Sequence, residues 1–310
     1  MIEVLRVGTR GSKLALWQAR WVADRLREHS SDTRVEIKVV RTLGDKVQDR
    51  PLAEVGAIGS FTRELDRALL DGDIDLAVHS LKDVPAAAVK GIALAAVPER
   101  EDPRDAFIGK GAKRLVDLPR NAAVGTGSLR RRAQLLALRP DLMVADLRGN
   151  IDTRLRKLNE SKTLQGIVLA LAGIRRLGLG VHVTEILDTP KWLPAPGQGA
   201  LAVMAREGDG AVAAIAARLE HSATRSAITA ERVMLARLGG GCHVPIGAYA
   251  YADGDALALH GFVADPDGVR VVRSQARGET SAAGALGARL AEELLATGGK
   301  EVLAALDSAC

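Results

Sequence analysis

The chain has 310 residues, 47% hydrophobic and 26% charged, with a net charge of +5, the balance of a globular protein long enough for two or three domains. No apolar run approaches the roughly 18 residues of a membrane span. The start, "MIEVLRVGTRGSKLAL", has neither the apolar core nor the cleavage site of a signal peptide, so a cytoplasmic protein is expected.

Ile2 to Val7 alternates into a short strand, "TRGS" (Thr9 to Ser12) makes a turn, and Leu14, Trp17, Trp21, Val22 and Leu26 recur at helical spacing. "RVEIKVVRT" reads as a second strand. The polar, glycine-bearing segment after it, about 44–60, is too long for an ordinary connection and is expected to be a lid. Phe61, Leu65, Ala68 and Leu69 return to helical spacing, and "DIDLAVHSLKDVP" is a buried-type strand running into a polar loop. Further on, a strand at Ala122–Val124 turns into a helix near Ser128 that stops before Pro140; "LMVADLRGN" and "GIVLALAGI" are two more strands. Strands alternating with helices predict βαβ units and mostly parallel sheets, whose ligands bind beyond the carboxyl ends of the strands.

"PEREDPRDAF" (Pro98 to Phe107) and "DTPKWLPAPGQGA" (Asp188 to Ala200) read as two crossings between lobes. After about residue 218 the pattern changes to a helix ending at Gly239, three strands with a hairpin turn at "DPDG" (Asp265 to Gly268), and a final helix from about Ser281 to Ala296. The expected fold is two α/β lobes and a small C-terminal α+β domain. Its divisions are 1–98 plus 197–217, then 99–193, then 218–310.

The basic balance calls for anionic partners, while aromatics at 3% leave few platforms for stacking bases. A small anion is therefore favoured over nucleic acid. Arg130, Arg131 and Arg132 open a helix, where backbone N–H groups also favour an anion; since neighbours fan out by about 100°, two at most face one ligand. Arg10, Arg148, Arg154 and the pair Arg175–Arg176 stand at other strand ends, and arginine's planar fork suits carboxylates. Asp83 is a turn residue before proline or, amid so many cations, an ionised carboxylate able to offset a developing positive charge or take a proton. Lys82 reads most simply as a surface charge.

Two cysteines, Cys242 and Cys310, give no disulfide framework and no CxxC spacing, and His79, His221 and His243 lack metal-ligand spacing, so no metal is expected. Neither "GTGS" nor "GLG" forms a nucleotide loop. Cys242 follows three glycines in "LGGGCHVPIG". It is a small buried hydrophobe, or the glycines leave room around a reactive sulfur.

Nine stretches, "TRGSKLALWQA", "FTRELDRALL", "DLAVHSLKDVP", "EREDPRDAF", "VGTGSLRRRAQL", "LRGNIDTRL", "LALAGIRRLGL", "LPAPGQGAL" and "GGGCHVPIG", fall in the order and spacing of the porphobilinogen deaminase family, which the chain resembles over essentially its whole length. The resemblance implies a lobe fold like type II periplasmic binding proteins. It also implies a dipyrromethane cofactor joined to Cys242 by a thioether. The implied reaction condenses four porphobilinogen molecules head to tail, each losing ammonia to give an electrophilic azafulvene, before hydrolysis releases hydroxymethylbilane. Asp83 matches the catalytic aspartate. Lys82, Ser128, Arg130, Arg131, Arg148 and Arg154 match cofactor-binding positions. Arg10, Ser12, Arg148, Arg154, Arg176 and Gln198 match substrate-binding positions, Arg176 being favoured over Arg175 by the alignment through "AGIRRLG". A monomer is implied, with neither nucleic acid nor membrane as partner.

Glu54, Ile58, Ser60, Gly127, His243 and the run Thr163–Gly166 depart from the family's usual residues, and none of them is a principal site position. Two rival readings are a two-lobe solute-binding or effector-sensing protein for a carboxylate-rich ligand, which leaves the cysteine loop unexplained, and a nucleic-acid binder, which no motif supports.

Overall fold

The computed structural model describes residues 2–29, 33–41, 62–240 and 244–307. The expected lid and Cys242 lie outside the described residues. The chain divides into two compact units, Met1–Glu101 with Gly199–Arg225, and Asp102–Gln198 with Ser226–Cys310.

In the first unit, strand β1 (Val4–Thr9) leads through the "TRGS" turn into helix α1 (Lys13–His29). Ala19, Val22, Ala23 and Leu26 recur at helical spacing and pack on Leu5, Val7, Leu76 and Val78 of the sheet. Strand β2 (Arg34–Val39) follows, then helix α2 (Arg63–Leu70), strand β3 (Leu76–Ser80) with a single 3-10 turn (Leu81–Asp83), and strand β4 (Ile92–Ala96). Leu65, Ala68 and Leu69 of α2 pack with Ile74, Ala77 and Ile92.

The second unit opens with strand β5 (Asp105–Gly109), strand β6 (Ala123–Gly125) and helix α3 (Leu129–Leu138). It continues through strand β7 (Met143–Ala145), helix α4 (Ile151–Glu160), strand β8 (Leu164–Ala170), helix α5 (Leu171–Arg176) and strand β9 (Glu185–Leu187). Strand β10 (Leu201–Arg206) and helix α6 (Gly210–Ala216) return to the first unit, and helix α7 (Ser222–Arg237) runs onward into the second. There strands β11 (Ile246–Asp253), β12 (Ala256–Ala264) and β13 (Val271–Glu279) form an antiparallel meander, followed by helices α8 (Ala283–Leu294) and α9 (Lys300–Asp307). One face of that sheet is covered by α7 and α8 through Ala230, Met234, Leu286 and Leu290.

The two five-stranded sheets share one arrangement, β2-β1-β3-β10-β4 in the first unit and β7-β6-β8-β5-β9 in the second. Both are mixed rather than wholly parallel. In the first, β1 is parallel to β2 and β3 while β10 is antiparallel to β3 and β4. In the second, β6 is parallel to β7 and β8 while β5 is antiparallel to β8 and β9. The reversed strand is in each case the one that directly follows a crossing. Hydrophobic period reports burial and not strand direction, so the sequence pattern carries no trace of this reversal.

The three-stranded sheet packs against the rest of the second unit. Phe262 and Ala264 of β12 pack with Ala133 of α3 and Leu193 of the second crossing, and Arg132 Nη2 meets Asp267 at 2.8 Å.

Candidate active site

In the first unit the carboxyl ends of β1 and β3 are tied together. Ser12 caps α1, its Oγ accepting from Ala15 N at 3.2 Å and its carbonyl from Leu16 N at 2.9 Å. Thr9 Oγ1 donates to Ala15 O at 3.0 Å. Arg10 therefore sits in a turn fixed on both sides. From α1 the buried Gln18 donates through Nε2 to Ser80 Oγ at 2.7 Å, at the end of β3. Beyond it the buried Leu81 anchors the 3-10 turn, donating from N to Ala200 O at 3.0 Å, and Val84 N closes the turn on Leu81 O at 3.0 Å. With the apolar residue held inward, Lys82 is half-buried and Asp83 exposed. His79, one residue before the strand end, is buried, and its Nε2 has no hydrogen-bond partner among the described residues. Burial first, and then the positive charge of Arg10, hold its pKa at about 4, so the ring is neutral at pH 7.

In the second unit Ser128 caps α3, its Oγ facing Arg131 N at 3.5 Å, and its own N donates to Thr126 Oγ1 at 3.2 Å. The first two arginines of the helix turn inward and the third outward. Arg130 Nη2 and Arg131 Nη2 reach the two oxygens of Asp105 at 2.8 and 2.7 Å. Their Nη1 atoms donate to Leu193 O at 2.6 Å and Val168 O at 3.1 Å. Trp192 Nε1 and Gln198 Nε2 complete the shell of Asp105, each at 2.8 Å. Burial alone would raise the pKa of Asp105. The charges of Arg130 and Arg131 and the hydrogen bonds from Arg131 and Trp192 outweigh it, holding the carboxyl well below the usual range.

Arg148 and Arg154 flank Gly149, whose φ of +112° takes the chain through a conformation open to glycine. Arg154 Nε donates to Gly149 O at 2.7 Å, and Arg148 Nε to Asp146 Oδ2 at 2.8 Å. Arg176 is half-buried at the last position of α5, whereas Arg175 is exposed and faces Asp102 at 3.4 Å. Gln198, expected at a substrate-binding position, is fully buried. Its amide serves Asp105 and Pro103 O, the latter at 2.7 Å.

Sequence reasoning missed Asp105, Trp192 and Gln134, which clasps Leu193 through both its backbone groups at 2.8 and 3.0 Å. The available signal was a lone carboxylate opening the apolar strand "DAFIG", since such a group needs buried partners.

The donor set can be tested against a carboxylate-bearing ligand. Among the described residues Arg130 and Arg131 share one carboxylate, leaving one positive charge, and each keeps a buried Nε without a hydrogen-bond partner. Together with the cap at Ser128 and the cations at neighbouring strand ends, this chemistry fits acidic side chains on a ligand.

Residues 5–214 match the sequence model described as "Porphobilinogen deaminase, dipyromethane cofactor binding domain", and residues 226–296 match "Porphobilinogen deaminase, C-terminal domain". The chain belongs to the porphobilinogen deaminase family. A porphobilinogen deaminase of Geobacter sulfurreducens is 49% identical over 300 residues, 97% of this chain and 94% of that one. One of Pelotomaculum thermopropionicum is 48% identical over 303 residues, 98% and 97% respectively. Among solved structures, the methionine-binding protein MetQ is similar with a TM-score of 0.45 and 13% identity, over 69% of this chain and 88% of that one. Family members are transferases that make hydroxymethylbilane from porphobilinogen, and the matched N-terminal model is the one that binds the dipyrromethane cofactor.

Proposed function

We propose that this chain condenses porphobilinogen head to tail with loss of ammonia, using Asp83 as the catalytic carboxylate and the strand-end arginines as carboxylate clamps. The observation that carries the reading is the chemistry at the β1 and β3 ends, where Asp83 stands exposed in the turn after β3, beside Lys82 and near the fixed turn of Arg10 and Ser12. Carbon–carbon bond formation at a pyrrole leaves positive charge on the ring nitrogen. The Asp83 carboxylate offsets that charge and accepts the departing proton. Arg10, Ser12, Arg148, Arg154 and Arg176 bind the acetate and propionate of the substrate, and Gln198 acts from within, through the Asp105 that holds Arg130 and Arg131. Lys82, Ser128, Arg130, Arg131, Arg148 and Arg154 hold the corresponding groups of the cofactor. When attached through Cys242, the dipyrromethane supplies a nucleophilic pyrrole carbon.

The reading extends to a cytoplasmic monomer with no nucleic-acid partner, divided as 1–98 with 197–217, 99–193 and 218–310. Among the described residues no helix is long and apolar enough to cross a membrane.

Intact mass of the denatured protein tests the proposal. Wild type is expected to carry two linked pyrrole units on the Cys242 peptide, and Cys242→Ser none. Asp83→Asn is expected to keep the adduct and lose turnover by about 100-fold or more. A chain that stays bare and inert after incubation with porphobilinogen would return the argument to a solute-binding protein. Near-normal turnover in Asp83→Asn would remove that residue from the chemistry.

A further inference from the structure

Asp105 opens β5 directly after the first crossing and is fully buried. Oδ1 accepts from Arg131 and Gln198, and Oδ2 from Arg130 and Trp192. None of the four donor residues is more than 5% exposed. Two of them begin α3, and the other two bracket residues 193–197 of the second crossing. One carboxylate therefore sets the side-chain conformations of both arginines and pins the crossing on either side.

The charge balance is uneven. Among the described residues no second carboxylate pairs with Arg130 or Arg131, so one buried positive charge is left over. A buried charge without a counter-charge costs folding stability. A chain selected only to close this region would gain by replacing one arginine with an apolar residue. Retaining both makes sense where an anion from outside completes the set, and the two Nε atoms, which have no hydrogen-bond partner among the described residues, are donors available to it.

We propose that Asp105 is a positioning residue, holding Arg130 and Arg131 so that one positive charge remains for a ligand carboxylate and passing the occupation of that charge to the second crossing through Trp192 and Gln198. The inference rests on the reading that these arginines hold an acidic side chain of the cofactor. A carboxylate arriving at the guanidiniums competes with Asp105 for their protons. Oδ2, which accepts from Arg130, also holds the indole N–H of Trp192, so that hydrogen bond must change in strength.

The chain contains three tryptophans, so indole-¹⁵N labelling gives three side-chain signals, and Trp192→Phe identifies the one that matters. Cofactor-free Cys242→Ser and the loaded wild type are to be compared at the same pH. The Trp192 signal is expected to shift, and its solvent exchange to change severalfold. Identical signals and exchange in the two proteins overturn the proposal without recourse to any Asp105 variant.

Asp105→Asn in the full chain supplies the second test. Its cofactor loading, followed by intact mass, is expected to slow about 100-fold, with partial rescue in Asp105→Glu. Loading at the wild-type rate in Asp105→Asn also overturns the proposal. Should Arg130→Gln and Arg131→Gln load normally, the reading of the arginines fails. Should they fail to load while Asp105→Asn loads, only the role given to Asp105 is lost.

Discussion

A buried histidine with a pKa of about 4 makes part of the acid stability of this chain depend on one ring. His79 is neutral in the fold because burial, and then Arg10, oppose its protonation, whereas in the unfolded chain it titrates near 6.5. Between those values the unfolded state binds the extra proton. The stabilisation is present in full above about pH 6.5 and is lost progressively as the pH falls towards 4, by about 3 kcal/mol in total. Denaturant unfolding at pH 7 and pH 4.5 should show this loss in wild type, and His79→Gln should show a shallower pH dependence. Equal slopes would mean that the ring is already charged in the fold. Legibility at this scale was uneven. Asp83, Arg148 and Arg154 could be named as candidates because strand ends and family motifs mark them. Asp105 was not, because nothing in its local sequence distinguishes it from Asp75, which binds Arg6 at 2.8 Å and Arg206 at 3.1 Å. Both aspartates bind arginines distant in sequence, and only folding shows which.

At the scale of elements, the hairpin of Asp265–Gly268 shows how a turn can be read correctly and its task missed. Asp265 forms the turn, accepting from Gly268 N at 3.1 Å and, through its carboxylate, from Val269 N and Arg270 N at 2.9 Å each. Gly268 has a φ of +68°, and a Cβ there would run into Ala133 O and lie 2.6 Å from Ala137 N. Both atoms belong to the backbone of α3, which cannot step aside as a side chain would. The glycine thus serves the turn and the close approach together. Gly268→Ala should destabilise the protein by about 1–3 kcal/mol and loosen α3, whose first turn carries Arg130 and Arg131. Thermal unfolding followed with amide exchange in α3 checks both parts. A loss of stability with unchanged protection in α3 would confine the effect to the hairpin. The turn residues announce the hairpin; the helix it lies against is more than 100 residues away in sequence and announces nothing.

Across the whole molecule, charge and topology act together. The net charge of +5 is a modest attraction for anions in general, and the fold concentrates its use. In each five-stranded sheet the parallel strands deliver their carboxyl ends to one edge, where Arg10 follows β1, Lys82 follows β3, and Arg148 and Arg154 follow β7. On the proposed reading, a substrate bearing acetate and propionate groups would be drawn first by a field and then held by forked hydrogen bonds. Added salt weakens the two stages unequally. Long-range attraction is screened beyond about 10 Å at 0.1 M, whereas short contacts at half-buried arginines are screened much less. Raising NaCl from 20 to 500 mM should lower kcat/KM for porphobilinogen about threefold or more while leaving kcat within about twofold, since the steps after capture rest on the protected contacts. Steady-state rates across that series at fixed pH decide it. A parallel fall in kcat would show that the clamps themselves are solvent-exposed in the working enzyme. No dependence at all would mean that the positive balance lies away from the site and plays no part in recruiting the substrate.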